Sequence, residues 1–238
     1  MKSRHDQTWP EIFMIPMNVY IETGKVKTFA SAVDWPGWSR SGRDEDQALQ
    51  ALVDYGTRYA QVLESGEINF QLPQKPSEVT IVGRYAGNAT TDFGSPAIIP
   101  DADRQPFDQQ VFEHSKIILQ ACWEALDRIV QAAAGKELRK GPRGGGRDLD
   151  KIIQHVVEAD QAYLKRIAWK QKLENGLDAA GRLSRTRQAI TDALEAATRE
   201  TLPERGPRGG VIWPARYFVR RTAWHVLDHT WEIEDRTE

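Results

Sequence analysis

From Phe107 to the C-terminus, apolar residues recur at three- and four-residue steps in four successive stretches, and this periodicity constrains the fold more than any other feature of the chain. The first stretch, predicted over about 107–134, carries Val111, Ile118, Cys122, Leu126 and Ile129 and stops at Ala-Gly135. The second begins near Asp148, a candidate cap, and runs to about Lys172 through Leu149, Ile152, Ile153, Val156, Val157, Tyr163, Leu164 and Ile167. The third covers about 179–201, with Leu183, Ile190, Leu194 and Ala197 on one stripe. The fourth follows Pro214, whose missing N–H costs nothing in a first turn, and carries Val219, Ala223, Val226 and Ile233. Four amphipathic helices with short to medium loops predict an antiparallel bundle, whose core can hold ligands on facing helices. The glycine-rich loop Gly141–Arg147 has no preceding strand and no Gly-Lys-Ser/Thr, so it reads as a connector rather than a phosphate cradle.

The N-terminal third has a different period. Met17–Glu22 and Val26–Val33 read as two strands joined by the turn Glu22-Thr-Gly-Lys25. Pro36 and Gly37 turn the chain, and Asp44, with Gln47 three residues on, opens a helix extending to about Leu63. Gly56 inside that helix reads either as close approach to the sheet or as a merely tolerated glycine. Ile68–Leu72 and Glu78–Arg84 are further strand candidates. Tyr85–Pro106 lacks clear periodicity. Asp92-Phe-Gly94 reads as a turn that tucks Phe93 against a neighbour, and Asp101–Pro106 as a linker. The fold class is α+β: a β-β-α-β module with linker over 1–104, then a four-helix bundle over 105–238.

The histidines carry the functional signal. His225 and His229 are four residues apart on the last helix, just over one turn, so their imidazoles share a face. Two neutral imidazoles so placed can converge on one divalent ion at about 2.0–2.1 Å each. If the second and fourth helices are neighbours, His155 supplies a third ligand. The competing reading is a set of buried histidines hydrogen-bonded to protein groups. A zincin mechanism does not fit, because Val226 stands where H-E-x-x-H requires glutamate. His5 and His114 read as ordinary surface or core residues.

Two resemblances add to this. The strand entering Asp34-Trp-Pro-Gly-Trp-Ser-Arg-Ser-Gly42, followed by an acidic helix start and an alanine/leucine helix, resembles the HicB-like fold. That resemblance implies a scaffold, dimerisation or toxin-partner module. The C-terminal region, roughly 107–236, resembles the DinB, metal-dependent hydrolase-like bundle through Gln154-His155-Val-Val-Glu158 and Trp224-His225-Val-Leu-Asp228-His229-Thr-Trp231-Glu232. It implies a divalent ion, zinc or nickel, on His155, His225 and His229, and either a metal-dependent hydrolase or a thiol-dependent transferase.

Three protein ligands leave a coordination position open, as in catalytic sites. Glu158 and Glu232, each three residues after a ligand histidine, are candidates to orient an imidazole or move a proton. Arg221, four before His225, is a candidate to hold an anionic substrate, while salt bridges are the competing role for it and for Arg216 and Arg220. Tyr163 and Trp224 could line the pocket or pack in the core. The expected partner is a small molecule, anionic or a thiol, with a homodimer also open. A formal net charge of −2 gives no field for nucleic acid or an anionic membrane. A single cysteine, Cys122, fits a reducing cytoplasm. The alternative class is a non-catalytic regulatory protein in which the first module binds a partner and the metal is structural.

Overall fold

The structure is a computed structural model that describes residues 17–66, 68, 70–140, 146–170, 176–199, 201–203, 205–206 and 209–237. It is mixed α+β: a four-stranded sheet followed by a helical region. The strands are β1 (Met17–Thr23), β2 (Thr28–Ala32), β3 (Ser39–Gly42) and β4 (Val79–Ala86), in the order β3-β2-β1-β4. β1 and β2 form the expected antiparallel hairpin, and β4 lies parallel to β1. β3 was not expected: Ser39-Arg-Ser-Gly42 has no apolar alternation, yet its backbone pairs with β2 at the sheet edge.

The helix opened by Asp44 is two helices, α1 (Glu45–Asp54) and α2 (Gly56–Leu63), broken at Tyr55. Asp44 caps α1 by accepting from the Gln47 N–H at 2.9 Å. A Cβ on Gly56 would lie 2.1 Å from Leu72 Cδ1 and 3.2 Å from Trp38, so the glycine marks a close approach, but to these side chains outside the strands rather than to the sheet. No strand forms at Ile68 or over Phe70–Leu72; Asn69 between them lies outside the described residues. Phe70 is used for packing instead, with its ring 4.8 Å from Trp35, 5.2 Å from Trp38 and 5.5 Å from Tyr59.

The stretch after β4 is ordered by polar groups rather than by periodicity, which is why the sequence pattern missed it. A short helix, α3 (Ala89–Phe93), is capped by Asn88. Asp92 accepts from the N–H groups of Val26 and Lys27, tying α3 to the hairpin, while Phe93 is 86% exposed rather than tucked in. Buried Glu22 of β1 accepts from the N–H groups of Ala97 and Ile98 at 2.9 and 3.1 Å and pairs with the Thr91 hydroxyl. Asp101–Arg104 forms a 3-10 turn that buries Asp103, so the segment read as a linker is pinned in place.

The long helices are α4 (Gln109–Ala133), α5 (Leu149–Arg166), α6 (Ala179–Thr198) and α7 (Ala215–Arg236). Aspartates cap the first three by accepting from backbone N–H groups: Asp108, Asp148 and Asp178. α5 ends earlier than its apolar pattern suggests, because Ala168 adopts a left-handed φ of 57°. α7 packs against both α4 and α5, so the helices that carry His155 and the His225/His229 pair are neighbours, as the three-histidine reading requires. One buried apolar cluster joins Val19, Trp38 and Leu52 of the N-terminal region to Leu126, Ile152 and Phe218 of the helices. Gly37 makes this contact tight. Its φ is +96°, and a Cβ there would sit 3.0 Å from Leu227 and 3.2 Å from Ala223 on α7. Among the described residues no helix is long and apolar enough to cross a membrane.

Candidate metal centre

α7 brings most of the site together. Its face toward α5 carries His225 and His229, both buried, and α5 presents half-buried His155. One nitrogen from each imidazole lies within 4.8 Å of the others. His155 Nε2 and His225 Nε2 are 3.2 Å apart. Two nitrogens bound tetrahedrally to one zinc-like ion at 2.0–2.1 Å are separated by about 3.3 Å, so this pair already has the spacing of two ligands. The ring centroids are 4.7–5.0 Å apart and steeply inclined, so the nitrogens, not the ring faces, converge.

The surroundings favour neutral imidazoles. Burial, and then the neighbouring His229, His155 and Arg221, hold His225 well below the usual histidine range. Partial burial lowers His155 too, with Arg147 and His229 acting in the same direction and Glu158 and Glu232 opposing. A neutral imidazole has a free nitrogen lone pair, and that is what ligation needs. His225 Nδ1 is buried with no hydrogen-bond partner among the described residues, so protein hydrogen bonds alone do not account for this histidine. The residues present therefore fit a divalent ion by both spacing and chemistry.

The other sequence-nominated residues separate by geometry. Glu232 accepts from His229 Nδ1 at 2.7 Å and from Arg236 Nη1 at 2.5 Å. The first bond leaves His229 Nε2 free to face the other two rings, and both partners hold the Glu232 carboxyl below the usual carboxylate range. Glu158 is exposed and accepts from Gln154 along its own helix. Arg221 donates to the Pro96 carbonyl at 2.5 Å, with its guanidinium 4.7 Å from the Trp224 ring and 5.7 Å from Tyr163. It makes no carboxylate contact among the described residues. Tyr163 stands beside the site, its ring 5.8 Å from that of His225, whereas Trp224 is buried core. His114 is exposed, 3.4 Å from the Asp34 carbonyl, and His5 lies outside the described residues.

Contacts between distant parts of the chain hold α7 in position, among them the salt bridge that was one of the roles open to Arg220. Arg220 is buried and pairs with Asp103 through two bonds of 2.7 Å, while its remaining donors reach the carbonyls of Ala32 and Val33. Arg40 of β3 lies between the rings of Tyr55 and Trp231, at 3.7 and 4.0 Å, and 3.6 Å from Asp228, the residue before His229. Tyr217 donates to the Ala97 carbonyl, in the segment that Glu22 clamps. The pairings of Arg220 with Asp103, of Arg40 with Trp231 and of Tyr217 with Ala97 have no local spacing signal, because the partners are more than 100 residues apart in sequence.

A comparison with known families decides what kind of helical region this is. Residues 118–233 match the DinB superfamily. The match starts inside α4 and ends near the end of α7, and it contains all three histidines but no part of the sheet. The C-terminal region is thus DinB-like. No curated protein and no solved structure shows significant similarity to the chain.

Proposed function

We propose that the protein is a divalent-metal-dependent enzyme whose ion is held by His155, His225 and His229. The convergence of three imidazole nitrogens within 4.8 Å, two of them 3.2 Å apart, carries the reading. Zinc or nickel suits an all-imidazole donor set. When bound, such an ion supplies Lewis-acid chemistry, lowering the pKa of a water or a thiol, which makes hydrolysis or thiol-dependent transfer the reaction classes. The chain's own residues then divide the remaining work. Glu232 fixes the orientation and tautomer of His229. Arg221, cationic and without a carboxylate partner among the described residues, receives an anionic group of the substrate, with the Tyr163 ring beside it. Glu158, exposed one turn beyond His155, exchanges protons with solvent.

The sheet, read as a HicB-like module over 1–104, serves in this proposal as the scaffold that fixes α7. Support comes from the Pro36-Gly37 turn against Ala223 and Leu227 and from the Glu22 clamp on residues 97 and 98.

The deciding experiment is elemental analysis of protein purified without an affinity tag, wild type against His225→Ala. The expected result is about one divalent ion per chain in the wild type and less than about a tenth of that in the variant. Near-zero metal in both sinks the proposal.

A further inference from the structure

At the far end of α5 from the histidines, a cleft of about 590 Å3 opens between the helix terminus and the segment that leads into α7. Its walls are of two kinds. Lys165, Arg166 and Lys170 line it with positive charge, and Trp169, Val211 and Ile212 supply apolar surface. The three cations make no ion pair with any described residue. We propose that this cleft binds a small organic anion with a flat apolar body, the charge meeting Arg166 and Lys170 and the body lying against Trp169.

The simplest competing role for these cations is to neutralise the carbonyl end of α5. The backbone has already done much of that. The Leu164 carbonyl accepts from Trp169 N–H at 2.9 Å, the Lys165 carbonyl from Ala168 N–H at 3.2 Å, and the Arg166 carbonyl from Trp213 N–H at 2.9 Å. The side-chain charges are left over for a ligand. The turn that closes the helix is also unusual. Ala168 is the one non-glycine residue at positive φ among the described residues, and it lines the cleft. Its left-handed conformation brings Trp169 back toward Leu164 and onto the cleft wall. At the rim Val211 is 87% exposed, an apolar side chain beside cations that pair with no described carboxylate, Arg166 lying 5.7 Å from the Trp213 ring. The volume is that of a small-molecule site, and the mixture of apolar wall and a few cations is what an amphipathic anion requires.

The cleft is distinct from the metal centre. His155, Ala159, Ala162 and Arg166 follow one another at steps of four, three and four on one face of α5, so Arg166 lies about 16 Å along the helix from His155. Occupying or altering the cleft therefore leaves the imidazoles in place.

The test is a fluorescence titration of the full chain with 1-anilinonaphthalene-8-sulfonate and with its uncharged counterpart N-phenyl-1-naphthylamine. The sulfonate should bind at one site per chain, at least ten-fold more tightly than the neutral compound, and Trp169→Phe should reduce energy transfer to it. Arg166→Gln combined with Lys170→Gln should weaken sulfonate binding at least ten-fold, with circular dichroism and metal content unchanged. Arg128→Gln, which removes an exposed cation elsewhere, should have no effect. Equal affinity for the two compounds, or an unchanged affinity in the double variant, would overturn the proposal. So would co-sedimentation with phosphatidylglycerol vesicles in the absence of any saturable sulfonate binding, which would make the patch a membrane surface instead.

Discussion

Two buried polar clusters lie on α7, with Arg220 five residues from His225, and they differ in one respect. Around Arg220 every nitrogen has a partner: Nε and Nη2 to Asp103, Nη1 to the Ala32 carbonyl, Nη2 also to Val33. Around His225 the nitrogens converge on one another instead, and one of them has no partner among the described residues. A saturated cluster has no valence left for a ligand, so the Arg220 cluster fixes the helix to the sheet. A buried cluster with an unmatched nitrogen is unfavourable unless something fills it, and the convergent spacing is compatible with a divalent ion. The same helix thus carries a structural anchor near its start and, further along, the proposed binding centre. The anchor keeps the binding centre in register with α5.

The comparison can be broken first at the anchor. Asp103→Ala strands a buried guanidinium, and the expected loss is about 3–5 kcal/mol in urea unfolding, the largest effect of any substitution discussed. The protein that remains folded should still bind metal, since the imidazoles are untouched. An intact midpoint would mean that the pair is dispensable. The second cluster answers differently. Glu232→Gln should weaken metal affinity about 10–100-fold, or about 1.4–2.7 kcal/mol, with little change in metal-free stability. Competition with a chelator of known affinity measures it, and an unchanged constant would remove Glu232 from any orienting role.

The smallest effect separates the clusters by pH. Lowered folded-state values for His155 and His225 mean that the unfolded chain binds more protons near pH 6. Their contribution to stability is therefore present above about pH 6.5 and is lost as the pH falls below it, at most about 1.4 kcal/mol per pH unit for each imidazole. Metal occupancy should decline over the same range. Arg220 stays charged throughout, because Asp103 offsets its burial and holds its pKa above the ordinary value. Buried Asp160, pushed up to about 8, acts in the opposite sense in both proteins, so melting curves from pH 5 to 8 should rise more steeply with pH in wild type than in His155→Ala with His225→Ala. Equal slopes in the two proteins would show that the histidines are not held neutral.

What was legible in the sequence follows the range of the interaction. Helix periodicity and aspartate caps are local, and α4 to α7 were readable from Val111, Ile152, Ile190 and Val226 and from Asp148. The β1–β2 hairpin was readable from its turn. β3 was not, since Ser39–Gly42 is a strand only because the β2 edge offers it hydrogen bonds. The break at Tyr55, the early end of α5 at Ala168 and the exposed Phe93 escaped for a related reason: propensity does not report what a neighbour 20 or more residues away imposes. Of the site, the His225/His229 pair was visible as a spacing, and His155 by resemblance.

By itself the sequence determined that α7 would show two imidazoles on one face, because helical geometry follows from spacing alone. It also determined that the fourth helix would have amphipathic partners. Only the tertiary structure decided that α5 brings His155 Nε2 to 3.2 Å from His225, and that Glu232 turns toward His229 rather than toward solvent. It also decided that the N-terminal sheet reaches α7 through Gly37, Asp103 and Glu22. The physical reason is that convergence is set by the packing of elements far apart in the chain, where burial and charge pairing act together and no local pattern records them.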